Sequence, residues 1–270
     1  MTVPDPGDQV DAALKAHYDA IARTGDPTKT GQDFLLRDLE IETAMRYLAD
    51  GLALLDVGCG LGYALEQYLN RFALRAAGID YSDFMIEGAR TALQRSTGLR
   101  GRADLRVASV LSLPFEGASF DRITSHRCLM ALLDWERQKE ALLELHRVLV
   151  PGGILCLFEG TVQGLHRLNA ARRRFGLPDI SADTRPMATL KLDEPSLLEA
   201  IAPLYDLVEI KRFGMYYFVS RVIHPLLVAP DLPRFDARIN RIAFEIARQI
   251  PDYDGLGHLV GFILRKRDAR

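Results

Sequence analysis

The sequence predicts an α/β fold in which a mostly parallel sheet carries helices on both faces. Two observations lead there. Through the first 160 residues short apolar runs alternate with helically periodic stretches, and a glycine-rich turn joins the first run to a helix. Strand and helix in alternation imply right-handed crossovers, which pack helices onto both sides of a parallel sheet.

The elements follow in order. A helical lead-in occupies residues 1–50, with Ile41, Ala44, Met45 and Leu48 on one face. Strands are expected at 53–57, 75–80, 105–108, 120–124 and 153–158. Between them Met85, Ala89, Ala92 and Leu93 share one helix face, and Ala141, Leu142, Leu145, Val148 and Leu149 another. After Glu159 the pattern loosens. A helix is expected at 163–175, before Pro178 and Pro186, then a short helix at 197–202 and a strand at 207–210. A further helix rests on Ile239, Ile242, Ala243, Ile246 and Ile250, and a last strand on 259–264. Loops beyond about 12–15 residues are usually functional. The irregular stretches 161–193 and 214–257 are therefore expected to cap an active site rather than to form a separate domain.

Composition sets bounds. The 270 residues carry 34 Lys+Arg against 36 Asp+Glu, with a pI near 6.3, which argues against a nucleic-acid footprint or capture at an anionic membrane. Cys59, Cys128 and Cys156 are too scattered for a disulfide scaffold or a Cys-x-x-Cys metal site, and no segment has metal-ligand spacing. Residues 1–11 have neither the basic end nor the apolar stretch of a signal peptide, so a cytoplasmic protein is expected.

The most informative segment is Asp56-Val57-Gly58-Cys59-Gly60-Leu61-Gly62. Its glycines leave a strand-to-helix turn with no side chains in the way, open to close approach by a ligand. A dinucleotide fingerprint needs glycine where this chain has Tyr63, and a phosphate loop needs Gly-Lys-Ser/Thr. Asp80 ends the second predicted strand, where a carboxylate accepts hydrogen bonds from both hydroxyls of a ribose. Turn and acid together read as a ribose-and-tail site. The bland reading is that the glycines only tighten the turn and Asp80 only caps the next helix.

Asp56-x-Gly58-x-Gly60-x-Gly62 followed by Gly78-Ile79-Asp80-Tyr81-Ser82 resembles a class I S-adenosylmethionine-dependent methyltransferase. Leu113-Pro114-Phe115, Ser119-Phe120-Asp121 and Glu144-Leu145-His146-Arg147-Val148-Leu149-Val150-Pro151-Gly152-Gly153 continue the resemblance in order. It covers roughly residues 52–159. It implies a Rossmann-like seven-stranded sheet with an antiparallel last strand, and S-adenosyl-L-methionine as cofactor. On that resemblance residues 51–160 bind the cofactor, 1–50 close over it, and 161–270 complete the sheet and the substrate cap. Cofactor contacts are expected from Asp56, Gly58, Cys59, Gly60, Gly62, Asp80, Tyr81, Ser109, Val110 and Ser125, with Arg37 and Tyr18 from the lead-in. The family often has an acid at position 109 to bond the adenine amino group; Ser109 would accept that bond more weakly.

An oxygen or nitrogen acceptor that carries a proton asks for a general base. His126, after the fourth strand, is the first candidate, because histidine titrates near neutrality. Glu159, ending the fifth strand, is the second. Arg127, His166, Tyr217 and His224 are candidate substrate contacts, while Arg172, Arg173 and Arg174 read as a solvated helix face. The expected activity is methyl transfer to oxygen or nitrogen of a small molecule, a sugar or secondary metabolite, with no nucleic-acid or membrane partner. A catalytically inactive cofactor-binding scaffold is the alternative. A nicotinamide-dependent oxidoreductase is disfavoured by Tyr63 and Asp56.

Overall fold

The computed structural model describes residues 6–182, 189–252 and 255–268; Pro186 lies outside them. Seven strands form one sheet: β1 (Ala53–Val57), β2 (Arg75–Asp80), β3 (Arg102–Val107), β4 (Phe120–His126), β5 (Leu149–Gly160), β6 (Tyr205–Lys211) and β7 (Leu259–Lys266). Their order is β3-β2-β1-β4-β5-β7-β6, and β7 pairs antiparallel with both neighbours. The mostly parallel sheet with a reversed last strand is the one the sequence implied.

Each central strand is buried on both faces by the period of two. In β5, Ile154, Cys156 and Phe158 enter one core while Leu155 and Leu157 enter the other. The second core is closed by α5 (Trp135–Val148) through Ala141, Leu142, Leu145 and Val148, and by α7 (Glu194–Ile201) through Leu197 and Ile201. The first takes Leu36, Ile41 and Ala44 of α2 (Phe34–Met45) and Ala64, Leu65 and Tyr68 of α3 (Tyr63–Arg71), with Ile86 and Ala89 of α4 (Asp83–Arg95). A small satellite cluster of Ala22, Leu61 and Met85, with Tyr18 and Ile21 packed on it, attaches α1 (Pro6–Ala22) near α4.

The later helices are α6 (Val162–Arg174), α8 (Gly214–Phe218), α9 (His224–Val228) and α10 (Arg238–Gln249). Tyr216, Tyr217, Ala243 and Ala247 join the first core beside α2. Asp33, which caps α2 through the Leu36 N–H, also accepts hydrogen bonds from Tyr216 and Arg221. This stretch braces α2. The buried face of α10 differs from the expected one: Asn240, Ala243 and Ala247 face inward, while Ile242 and Ile250 are exposed. Asn240 donates to the carbonyls of Arg234 and Phe235 at 2.8 and 2.9 Å, which fixes the helix rotation around a polar anchor. Arg172 donates to the carbonyls of Pro178 and Arg221, and Arg173 pairs with Asp179, so two of the three consecutive arginines that end α6 hold neighbouring segments in place.

Candidate active site

Strand order reverses between β1 and β4, and open α/β sheets take ligands at the carboxyl ends of strands at such a point. A cavity of about 360 Å³ lies there, within the roughly 300–1,000 Å³ of small-molecule sites. The turn after β1 forms its floor. Gly58 and Gly60 have φ of +68° and +52°, and a Cβ on Gly58 would sit 2.9 Å from the Cys128 side chain. A Cβ on Gly60 would meet nothing within 4 Å, so the backbone there lies open to a ligand. Gly62 does other work: at φ +80° it starts α3, packed on Ala89, and it is not on the cavity wall.

Asp80 lies on the wall with one carboxylate oxygen accepting from the Ser82 N–H (2.9 Å) and the other from the Gly60 N–H (3.0 Å). Each oxygen keeps a lone pair for a further donor. Burial pushes this carboxyl up to about 6. The cap of α4 is Ser82, whose hydroxyl accepts from the Met85 N–H, so Asp80 is not the helix cap. Asp56 also reaches the wall; one oxygen accepts from Thr124 at 2.8 Å, the other has no hydrogen-bond partner, and burial raises its pKa. Cys59, Tyr81, Ser109, Val110, Tyr18 and Arg37 line the same cavity. The Tyr18 and Tyr81 rings meet edge to face at 6.3 Å, so α1 closes one side. Ser125 is fully buried in β4, behind the wall.

His126 and Arg127 face the cavity from the end of β4. Thr124 and His126 share a sheet face, and the His126 ring stacks on its cross-strand partner Phe158 at 4.8 Å. Both ring nitrogens are engaged, Nε2 with the Tyr68 hydroxyl (2.9 Å) and Nδ1 with Glu40 (3.2 Å). Arg127 has φ of +58°, rare for a residue with a side chain, and donates its backbone N–H to the Phe158 carbonyl. Its guanidinium donates to the same Glu40 oxygen at 3.0 Å. Burial opposes the Glu40 charge, but Arg127 and His126 outweigh it and hold this carboxyl below its ordinary value.

Other expected residues lie elsewhere. Glu159 is off the wall: its two oxygens accept from the backbone N–H groups of Leu129 and Met130, and burial pushes it up to about 8. His166 is on the exposed face of α6. Tyr217 is buried, its hydroxyl accepting from the Leu259 N–H, and His224 is buried beside Asn240. Among the described residues, the stretches expected as caps supply nothing to the cavity wall. The cover comes from Leu14 and Tyr18 of α1, Pro27, and Arg37 of α2. Apolar periodicity marks a buried face without naming what buries it, so the caps were misplaced. Glu40, Tyr63, Cys128 and Arg137 were not anticipated. The signal for Glu40 was an acid in line with Leu36, Thr43 and Ala44 on the core face of α2.

Residues 55–157 match the family described as methyltransferase domain. A 24-methylenesterol C-methyltransferase 2 of Oryza sativa subsp. japonica is 33% identical over 216 residues, 74% of this chain and 58% of that protein. The chain thus spans little more than half of this relative. Two solved structures share the fold at low identity. A methyltransferase in complex with the Haloferax volcanii Trm112 activator superposes with a TM-score of 0.64 at 16% identity, covering 95% of this chain and 99% of that one. The N-methyltransferase NodS from Bradyrhizobium japonicum WM9, in complex with S-adenosyl-L-homocysteine, gives 0.56 at 14% identity, covering 94% and 99%. With the glycine turn and Asp80 in place, residues 55–157 form a methyltransferase domain.

Proposed function

We propose that the chain transfers a methyl group from S-adenosyl-L-methionine to an oxygen or nitrogen atom of a small molecule. The observation that carries this reading is the cavity itself, with a side-chain-free turn and a twice-anchored Asp80 on one wall and polar side chains on the other. The residues fit the cofactor. Asp80 retains acceptor capacity for both ribose hydroxyls, Gly58 and Gly60 expose backbone to the methionine portion, and the unpartnered Asp56 oxygen suits its ammonium group. Ala108, Ser109 and Val110 would flank the base. When bound, the cofactor supplies a methyl group already activated on a cationic sulfur. The chain's own part is alignment and exclusion of water, and alignment is worth about 7–11 kcal/mol of barrier.

The wall also bears on the acceptor. Arg37, Tyr63, His126, Arg127 and Arg137 surround the remaining space, and a hydrocarbon such as a sterol would add no hydrogen bond to this polar wall while displacing water from it. That favours a substrate rich in heteroatoms over the sterol carbon named for the rice relative. With both nitrogens engaged, His126 acts as a positioning residue that holds Glu40 and Tyr68 in place. Glu159 supports the backbone of residues 129–130 and meets no substrate. Calorimetry with S-adenosylhomocysteine and NADH, then mass spectrometry of a metabolite extract incubated with isotopically labelled methyl donor, tests the reading. Binding of the sulfur ligand and a labelled small molecule are expected. Binding without transfer to any extract would favour a scaffold, and NADH binding alone would end the proposal.

A further inference from the structure

We propose that Glu40 is the positioning residue of the acceptor wall, one buried carboxylate that fixes both the Arg127 guanidinium and the His126 ring for the transfer. The inference rests on the methyl-transfer reading above. Glu40 is fully buried on α2 and does not line the cavity, whereas both side chains it holds do. A single oxygen, Oε2, accepts from Arg127 at 3.0 Å and meets His126 Nδ1 at 3.2 Å. A carboxylate buried on a helix beside Leu36, Leu39 and Ala44 is costly unless charged or donor partners stay with it. The dependence is mutual. Burial works against the Arg127 charge as well, and Glu40 more than restores it, so Arg127 is held above its ordinary value.

The same oxygen fixes more than charge. An ionised carboxylate only accepts, so His126 Nδ1 carries a proton, and in the neutral ring Nε2 is left to accept from the Tyr68 hydroxyl at 2.9 Å. Burial pushes that hydroxyl well above its ordinary value, which keeps it a donor. The ring also stacks on Phe158 at an interplanar angle of 8°, so its plane, its place and its tautomer are all set. Arg127, at a left-handed φ of +58°, relies on its surroundings to hold a strained backbone. Arg37 lies one turn before Glu40 on α2 and also lines the cavity. Glu40 therefore ties the helix that carries one wall side chain to the strand end that carries two. Its other oxygen is buried with no hydrogen-bond partner among the described residues. Glu194, a buried acid away from the cavity, uses both oxygens, on Thr161, Arg167 and Arg212. Glu40 instead serves two wall residues through one oxygen, and departures of that kind gather at functional sites.

The test reads the wall and the cofactor separately. Full-length protein carrying isotopically labelled histidine, with His126→Gln to assign the ring signals, reports by NMR which His126 nitrogen holds the proton once the ring is neutral. Nδ1–H is expected in the wild type and in Arg127→Met, which keeps the carboxylate. An apolar side chain offers Nδ1 no acceptor, so in Glu40→Leu the proton should move to Nε2. If Glu40→Leu fails to fold, Glu40→Leu combined with Arg127→Met removes both charges together, and the proton should move there too. With labelled S-adenosylmethionine and a metabolite extract, Glu40→Leu should transfer label about tenfold or more slowly at saturating cofactor, because a displacement of about 1 Å can cost on the order of 10²-fold. Its affinity for S-adenosylhomocysteine should stay within about twofold of the wild type. Four results would each overturn the proposal: a neutral wild-type ring protonated at Nε2, a proton unmoved in the Glu40 variants, undiminished transfer in a folded Glu40 variant, or an affinity for S-adenosylhomocysteine that falls as steeply as transfer. Should the wild type label nothing in any extract, methyl transfer itself fails, and the histidine spectra still decide whether Glu40 sets the wall.

Discussion

At the scale of single residues, Asp80 carries the most consequence. Its oxygens are held by the Ser82 and Gly60 backbone, so the carboxylate is oriented before any ligand arrives. That orientation has an electrostatic cost, since burial lifts the carboxyl to about 6 in the free protein. A ribose diol donates to the ionised form, so cofactor affinity should fall as pH drops through about 6. Stability of the free protein should run the other way. The folded carboxyl keeps its proton to higher pH than the unfolded chain, near the ordinary 3.8, so this group favours folding more as pH falls from 7 to 4. Asp80→Asn should weaken S-adenosylhomocysteine binding by about 1.5–3 kcal/mol, the range for hydrogen bonds to a charged group, and flatten the acid limb of the affinity profile. Calorimetry across that pH range checks both outcomes, and an unchanged affinity would show that the ribose is held elsewhere.

At the scale of elements, Glu159 shows how a strand end builds a wall it does not touch. The short 3₁₀ helix Leu129–Ala131 has no side-chain cap of its own, and the buried carboxyl of β5 accepts from its first N–H groups at 2.8 and 3.0 Å. That helix brings Ala131 to the cavity. Glu159→Gln would turn an amide N–H toward a backbone N–H, so it should cost about 1–3 kcal/mol of stability. The Tm should fall by several degrees, at roughly 2–4 °C per kcal/mol for a chain of this size, with little change in cofactor affinity. Because burial lifts this carboxyl to about 8 from its ordinary 4.5, the wild type should also gain stability as pH falls below 8, and the variant should not. Denaturation scans with and without S-adenosylhomocysteine decide it. The elements themselves were largely legible. β1 and β2 fall where their apolar runs end in glycine or a turn, and the turn at Gly58 and Gly60 announces its role because a side chain there would fill the site. What periodicity does not reveal is the partner of a face. Ile242 and Ile250 kept the expected helix but not the buried side, because Asn240 anchors it. Glu40 escaped because its partners, His126 and Arg127, lie far along the chain and meet it only in the fold.

At the scale of the molecule, two cores flank the sheet, while the cover of the cavity hangs on a third and much smaller cluster. α1 reaches the body through Tyr18, Ile21 and Ala22 against Leu61 and Met85, and through polar links at its outer edge. Lys15 pairs with Asp83 at 2.5 Å, with both side chains largely exposed, and Asp19 accepts from the Ser82 hydroxyl. Exposed pairs of this kind contribute about 0–1 kcal/mol, so the attachment is weak compared with the burial of α2 in the first core. Segments with few buried contacts open at free energies well below that of global unfolding. α1 should therefore exchange its amide hydrogens faster than α2 or the central strands in the free protein. A cofactor seated against Tyr18 and Leu14 adds contacts that exist only when the helix is closed, so S-adenosylhomocysteine should slow exchange in α1 far more than in β1 or β4. Hydrogen exchange followed by mass spectrometry resolves these peptides separately. Uniform protection of α1 and the sheet in the free protein would mean that the cover is as firmly built as the cores it closes.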